Sequence, residues 1–181
     1  MGTQTMTRAT TYAIDPAHSV IEFAIKHMVV ATTKGRFKGV KGTVALDEHN
    51  LAGSSVNVTI TVASVDSGDA KRDGHLTSAD FFDAETYPTM TFRSTEVRGS
   101  GDTLHVHGDL TIRDVTKPVV LEVERLGGGT TPFGTEIQAY EAKTKINRKD
   151  FGLTWNAALE AGGMLVGDDV KISIDVETVK Q

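Results

Sequence analysis

The chain has 181 residues, of which 39% are hydrophobic, and this is enough for one sizeable core in a single domain. Its net charge of -5 argues against nucleic acid as the main partner, because phosphate backbones attract clustered lysine and arginine. The absence of cysteine excludes a disulfide framework, a thiolate metal site and a cysteine nucleophile.

The N-terminal segment is polar and rich in threonine. We therefore predict a flexible lead-in over residues 1–11 and a single domain over residues 12–181. Residues 1–8 contain no apolar run typical of a signal peptide, and no later stretch is long enough to span a bilayer. From these features we expect a soluble, cytoplasmic protein.

Apolar and polar residues alternate with a period of two over most of the remaining chain, which predicts strands with one apolar face and one solvent face. Turn residues at 47–50, 99–102 and 127–129 separate the strands at short spacing. Eight such strands predict an antiparallel barrel or sandwich, and closure into a barrel removes exposed edges. The eight segments are 21–25, 37–46, 56–62, 89–97, 104–112, 119–123, 140–146 and 170–176.

One segment, from about residue 70 to 82, has helical rather than alternating spacing. We predict a short helix that caps the barrel mouth, and its role is either packing alone or packing together with gating. Its predicted inward residues are Leu76, Ala79 and Phe82, and its predicted outward residues are Asp73, Thr77 and Asp80.

The second strand carries alternating basic residues, Lys34, Arg36 and Lys38, which project from one face. They either protect a strand edge by charge or meet a phosphate head group or an anionic membrane surface. His105 and His107 share one face at a spacing compatible with zinc or copper. Both lie on the predicted solvent face without a third ligand, so we predict no metal site.

The segment 153–166 is too apolar for a plain loop, yet Gly162 and Gly163 interrupt it. Three interpretations stay open: it folds over the barrel mouth beside the helix, it forms a dimer contact, or it packs on its own core. Ser78, His75 and Asp73 lie on one short turn-rich helix without a nucleophile elbow or an oxyanion signature, so we predict no catalytic site.

Nine short motifs, each weak alone, are jointly specific in their order and spacing: 14–19 (IDPAHS), 26–28 (KHM), 35–37 (GRF), 72–76 (RDGHL), 80–83 (DFFD), 87–92 (YPTMTF), 108–112 (GDLTI), 115–119 (VTKPV) and 147–152 (NRKDFG). With them the chain resembles the YceI-like polyisoprenoid-binding proteins over roughly residues 11–179. The resemblance implies a lipocalin-like barrel that holds a long isoprenoid chain, such as a polyprenyl quinone or polyprenyl phosphate, and it implies a homodimer.

Alternation and the resemblance together give a predicted lipid-binding wall. No cofactor is expected apart from the bound polyisoprenoid, and a transient contact with a membrane surface is expected. The alternatives are a small barrel enzyme that uses His27 or His75 as acid or base, and a barrel with a filled core and no ligand. The predicted wall comprises Ile21, Phe23, Ile25, His27, Phe37, Val58, Ile60, Leu76, Phe81, Phe82, Met90, Phe92, Leu110, Tyr140 and Ile174.

Overall fold

The computed structural model describes residues 9–181, which form a closed antiparallel β-barrel with eight strand positions and one helix, α1. Short 3-10 helices cover Pro16–His18, Leu51–Gly53, Val62–Ser64 and Arg148–Phe151. The strands are β1 (Thr10–Ile14), β2 (Val20–His27), β3 (Ala31–Phe37), β4 (Val40–Leu46), β5 (Ser55–Thr61), β6 (Val65–Asp66), β7 (Thr89–Ser100), β8 (Thr103–Ile112), β9 (Val115–Thr130), β10 (Glu136–Asn147) and β11 (Val166–Lys180), and α1 is Ala70–Leu76.

Eleven strands fill only eight positions because three positions are each divided between two strands. β1 and β2 both pair with β11 and so share one position. β4 pairs with β1 and β3 pairs with β2, so β3 and β4 share the next position. The break between β1 and β2 contains Pro16, which has no N–H to donate to a ladder. Pairing of β1 with β11 closes the barrel, so the ring has no open edge between its first and last positions.

The prediction of eight strands is confirmed as eight positions, but the bounds differ in several places. The predicted strand 37–46 is divided, because β3 ends at Phe37 and β4 begins at Val40. Residues 1–8 of the predicted lead-in lie outside the described residues, and β1 begins at Thr10, inside the predicted lead-in. The predicted turn at 127–129 is wrong, because this triplet lies within β9 and pairs with residues 137–139 of β10. A bulge next to Tyr140 and a positive φ of 113° at Gly127 fit the glycines into the strand.

Helix α1 is shorter than predicted. Asp69 caps its first turn, since its side chain accepts the Arg72 N–H at 2.9 Å. It ends at Leu76 because Thr77 and Ser78 donate their hydroxyls to carbonyls of the helix, which competes with its continuation. Consequently Ala79, predicted to face the barrel, is exposed.

The barrel has two different ends. The mouth end carries α1, the β2–β3 turn and the β10–β11 connection, and the far end carries the β4–β5 and β9–β10 connections. One buried apolar cluster, with Phe37, Met90 and Phe151, lies toward the mouth end, and a second, with Leu104 and Tyr140, lies toward the far end. Within residues 9–181 no helix is long and apolar enough to cross a membrane.

Candidate functional site

The barrel encloses an elongated cavity of about 390 Å³. This volume falls within the range of about 300–1,000 Å³ that is usual for small-molecule sites. On β10 the wall extends from Tyr140 to Ile146, a span of about 20 Å along the strand. Most wall side chains are aliphatic or aromatic, so the cavity suits a long, slender, apolar molecule.

All fifteen residues of the predicted wall line this cavity. The strand register explains the agreement, since inward residues of neighbouring strands pair directly: Ile21 pairs with Ile174 on one side and with Phe37 on the other. Contact with a ligand stays a prediction for each of them. The fifteen are Ile21, Phe23, Ile25, His27, Phe37, Val58, Ile60, Leu76, Phe81, Phe82, Met90, Phe92, Leu110, Tyr140 and Ile174.

Two glycines set the width of the cavity by making room for phenyl rings. A Cβ at Gly35 would lie 2.4 Å from Cζ of Phe23, and a Cβ at Gly108 would lie 2.4 Å from Cζ of Phe92. Both distances are well inside van der Waals contact, so each ring lies against backbone that a larger residue would cover. The two rings therefore lie against the wall. With larger residues in place of the glycines, the rings would have to move inward and narrow the cavity.

The helix and the turn after it cover the mouth end. Leu76, Phe81 and Phe82 all line the cavity, and the Phe82 ring meets Phe37 edge-on with a centroid distance of 5.5 Å. Phe37 in turn lies 5.6 Å from the ring of Phe23 in the wall. The predicted cap is thus in place, and it is held to the wall by aromatic contacts.

His75 lies at the centre of the cap. Its ring is edge-on to Trp155 at 4.6 Å and to Phe81 at 5.0 Å, and its Nε2 lies 2.9 Å from Oδ2 of Asp80. Trp155 comes from the segment 153–166, so of the three interpretations the structure shows the one in which this segment folds over the mouth beside the helix. A role in a dimer contact is untested.

A buried arginine holds that segment, and the alternation of apolar and polar residues does not reveal it. The Arg148 side chain donates to the carbonyls of Leu153, Trp155, Val166 and Gly167 at 2.7 to 3.4 Å. Burial lowers the pKa of its guanidinium, and Asp168, 3.9 Å away, partly offsets this. The motif at 147–152 was the only sequence signal for it.

The cavity opens at the mouth end. Of the lining residues, only Lys26 on β2 and Arg72 on α1 are exposed to solvent. The gap between the end of the β2–β3 hairpin and the helix is therefore the place where the cavity reaches the surface. Its two cations would meet an anionic or strongly polar head group if the apolar part of a ligand lay inside.

The far end is closed by hydrogen bonds. Buried Asp47 accepts the backbone N–H groups of His49 and Asn50 and donates its own N–H to the hydroxyl of Ser54. Across the barrel, the Arg125 guanidinium donates to Oε1 of Glu48 at 2.9 Å. These contacts fix the β4–β5 connection over the end of the cavity.

Tyr140 is the one predicted wall residue with a buried polar atom at the far end. Among residues 9–181 its hydroxyl has no hydrogen-bond partner, and neither has Nε of the neighbouring Arg125. Burial raises the pKa of the Tyr140 hydroxyl, with a smaller opposing effect of the Arg125 charge, so the group is neutral and able to donate.

The basic residues at positions 34, 36 and 38, of which the first two lie on β3, divide into two groups. Arg36 and Lys38 form ion pairs with Asp66 of β6 at 3.5 and 2.9 Å, which supports a structural role at this strand edge. Lys34 makes no ion pair with any residue from 9 to 181.

The histidines do not assemble a catalytic set. The Ser78 hydroxyl donates to the backbone carbonyl of His75 rather than to its ring, and Asp73 accepts from Ser67. His27 lines the cavity at the mouth end. His75 is already engaged by Asp80 and two aromatic rings, as described above.

One group of side chains in the described range has the spacing of a metal site: Asp15, His18 and Glu177. His18 is exposed and lies 2.8 Å from Asp15 and 3.9 Å from Glu177. The hydrogen bond with Asp15 raises the pKa of His18, so the group already has an internal ion pair. His105 lies on the outer face as predicted.

The family model described as YceI-like domain matches residues 12–178. "Protein YceI" of Escherichia coli O157:H7 is 42% identical over 175 residues, covering 96% of this chain and 88% of that protein. The "Protein YceI" of Salmonella newport (strain SL254) is 39% identical over the same 175-residue length, with coverage of 96% and 88%.

Solved structures agree on the fold. BcnA of Burkholderia cenocepacia has a TM-score of 0.79 at 29% identity, covering 91% of this chain and 98% of that one. The YCEI protein of Campylobacter jejuni has a TM-score of 0.72 at 31% identity, with coverage of 86% and 90%. A domain from Saccharophagus degradans, described as a polyisoprenoid binding domain, has a TM-score of 0.68 at 16% identity, with coverage of 95% and 99%, which shows the shared fold alone.

Proposed function

The chain belongs to the YceI-like domain family, and we propose that it binds a long-chain polyisoprenoid lipid inside its barrel. The ligand we propose is of the polyprenyl quinone or polyprenyl phosphate type. The observation that carries this proposal is the cavity of about 390 Å³, with an apolar wall and an opening at one end. The description of the Saccharophagus degradans domain as polyisoprenoid binding supports the choice of ligand class.

The energetics favour a carrier that exchanges its ligand with membranes. Burial of a CH₂ group is worth about 0.8 kcal/mol, so a five-carbon isoprene unit is worth roughly 4 kcal/mol on leaving water. Several units would exceed the practical affinity ceiling of about 18 to 21 kcal/mol. The relevant reference is therefore a bilayer, where the isoprenoid is already in hydrocarbon and transfer into the barrel is close to neutral.

We infer that this function involves no catalysis, since the hydroxyl of Ser78 donates to the backbone carbonyl of His75 and not to its ring. The alternative, an enzyme that uses His27 or His75, predicts turnover that vanishes when either histidine is replaced. A carrier instead keeps stoichiometric binding in His27→Ala. A homodimer and a cytoplasmic location stay predictions.

A cavity-filling variant tests the binding site. Ala142 lines the cavity, whereas its neighbour Glu141 faces outward on the same strand. We expect Ala142→Phe to reduce binding of a polyprenyl quinone by at least about tenfold, because the added ring occupies ligand volume. Glu141→Phe is the matched control and should bind normally. Equal binding by the two variants would place the ligand outside the barrel.

A further inference from the structure

The β2–β3 hairpin ends in an exposed apolar turn at the mouth end. Met28, Val29 and Val30 are 50%, 60% and 82% exposed, and Met164 in the β10–β11 connection is 47% exposed. The two segments are joined: the Met28 N–H donates to the carbonyl of Leu165 at 2.9 Å. We call Met28, Val29, Val30 and Met164 the apolar tip.

The backbone of the apolar tip is strained. Met28 and Val29 have φ angles of 52° and 67°, in the left-handed region that glycine and asparagine adopt most easily. A β-branched residue in this region is uncommon, and Val29 stays 60% exposed although its Cγ2 lies against Gly163. Turn geometry therefore does not explain why apolar residues stand at these positions.

The apolar tip lies next to the opening of the cavity. The hairpin is closed by the pair His27–Ala31, and both His27 and the adjacent Lys26 line the cavity. None of the four side chains of the tip lines the cavity itself. The tip is thus outside the binding site but at its entrance.

A row of lysines crosses the outer wall below the tip. Strand pairing places Lys145, Lys171 and Lys34 in one row across β10, β11, β2 and β3, with Ala24 between the last two. Lys34 lies three residue pairs from the base of the hairpin, or about 10 Å. Among residues 9–181, Lys26, Lys34 and Lys171 form no ion pair, although the chain carries a net charge of -5.

We propose that the apolar tip inserts into the interface of an anionic phospholipid bilayer, with Lys26, Lys34 and Lys171 attracted to its surface. Apolar side chains at a protruding tip beside unpaired cations match the chemistry of that interface, which offers shallow hydrocarbon beneath negative head groups. Insertion turns the opening toward the lipid. The purpose of the docking rests on the proposed function. The docking itself can be measured without any isoprenoid.

A site-specific fluorophore tests insertion directly. Because the chain has no cysteine, Val30→Cys gives a unique site for an environment-sensitive nitrobenzoxadiazole label. Phe133→Cys is the matched control, since Phe133 is 94% exposed in the β9–β10 connection at the far end. With vesicles of phosphatidylcholine and phosphatidylglycerol, we expect a blue shift and brighter emission at position 30 only. No response at position 30, or an equal response at 133, would overturn the proposal.

Vesicle flotation measures how much individual side chains contribute to membrane binding. Val29→Asn keeps a residue suited to a positive φ and removes an apolar side chain, so it should fold normally and bind these vesicles about tenfold more weakly. Lys34→Gln should weaken binding about fivefold, and only when phosphatidylglycerol is present. Phe133→Ser is the matched control and should bind like the unaltered protein. Unchanged flotation of Val29→Asn would refute the tip as the docking element.

Two further readouts separate this inference from the others. Val29→Asn should bind a polyprenyl quinone in detergent as well as the unaltered protein, because the tip does not line the cavity. If neither protein bound the quinone while the unaltered protein still floated with vesicles and Val29→Asn floated less, the proposed function would be rejected and the docking kept. A dimer that dissociates in Val29→Asn without any vesicle effect would show that the tip contacts a second copy instead, and it would overturn the docking.

Discussion

The two ends of the barrel are closed in different ways. At the far end, Asp47 and Ser54 fix the covering loop by hydrogen bonds, and Arg125 pairs with Glu48 across the opening. At the mouth end, Arg148 fixes the segment that contains Trp155 by hydrogen bonds to its carbonyls, but helix α1 and the turn after it contact that segment through the rings of His75, Phe81 and Trp155. Ring contacts of this kind are worth about 0.5–1.5 kcal/mol each, so the helix is held to this segment weakly. We therefore expect the mouth end to open by separation of the helix from this segment.

The largest effect is expected from removal of the arginine that supports the mouth segment. Arg148→Met would remove a donor from four carbonyls of the segment 153–167, of which only that of Val166 keeps another side-chain donor, Asn156, and we expect a loss of about 3–5 kcal/mol in the free energy of unfolding. Urea denaturation measures it, with exposed Lys149→Met as a control that changes by less than about 1 kcal/mol. A small loss in Arg148→Met would show that the mouth segment is held by its apolar packing alone.

A second variant tests whether the ligand leaves through the mouth end and not through the far end. Trp155→Ala removes two aromatic contacts of the cap, each worth about 0.5–1.5 kcal/mol, so ligand release to excess vesicles should become about tenfold faster. Stopped-flow fluorescence with a labelled polyprenyl lipid gives the rate. Glu48→Gln, which weakens the ion pair at the far end, should leave that rate unchanged. If Glu48→Gln accelerated release instead, the far end would be the gate.

The buried hydroxyl at the far end should have a smaller effect. Tyr140→Phe removes a hydroxyl that has no partner among residues 9–181, so we expect the ligand-free protein to gain about 1 kcal/mol in the free energy of unfolding. Tyr87→Phe at the mouth end is the control, and should change stability by less than about 0.5 kcal/mol. A destabilised Tyr140→Phe would mean that the hydroxyl is hydrogen-bonded in solution.

The smallest effect should come from pH, through the carboxyl group of Asp66 in the barrel wall between the two ends. Lys38 is the main cause that lowers the pKa of Asp66 from 3.8 to about 2. The resulting stabilisation is present above pH 3.8 and is lost as the pH falls toward about 2. Stability curves at several pH values should therefore converge for the unaltered protein and Asp66→Asn near pH 2. A constant difference across this range would contradict the ion pair.

The exposed pair of His18 and Asp15 has the opposite sign. The hydrogen bond that Asp15 accepts from the His18 ring raises the pKa of His18 above 6.5, so its stabilisation is present below pH 6.5 and is lost as the pH rises through the raised value. Proton NMR titration of the His18 ring should show the raised midpoint, and Asp15→Asn should lower it. Identical midpoints in the two proteins would contradict this pairing.

The interior of the barrel was predictable from sequence because alternation is a local property. Each inward residue of a strand lies two positions from the next, so the wall from Ile21 to Ile174 follows once the strands are identified. The ends of the barrel were not predictable in this way. The position of Trp155 depends on Arg148 and on contacts with His75, which lies about eighty positions earlier in the chain.

The errors have the same origin. Gly127 and its neighbours have the composition of a turn, but pairing with β10 keeps them in a strand. Ala79 has helical spacing relative to Leu76, but hydroxyl groups of Thr77 and Ser78 end the helix first. In both places, hydrogen bonds that composition does not reveal decided the backbone conformation.

The most direct test of the central claim is native mass spectrometry of the freshly purified protein, with its organic extract analysed in parallel. We expect a co-purifying isoprenoid at about one per subunit, which the extract identifies by chain length and head group. Ligand-free protein that also refuses added polyprenyl quinone and polyprenyl phosphate would contradict the claim and leave a barrel whose cavity serves another purpose.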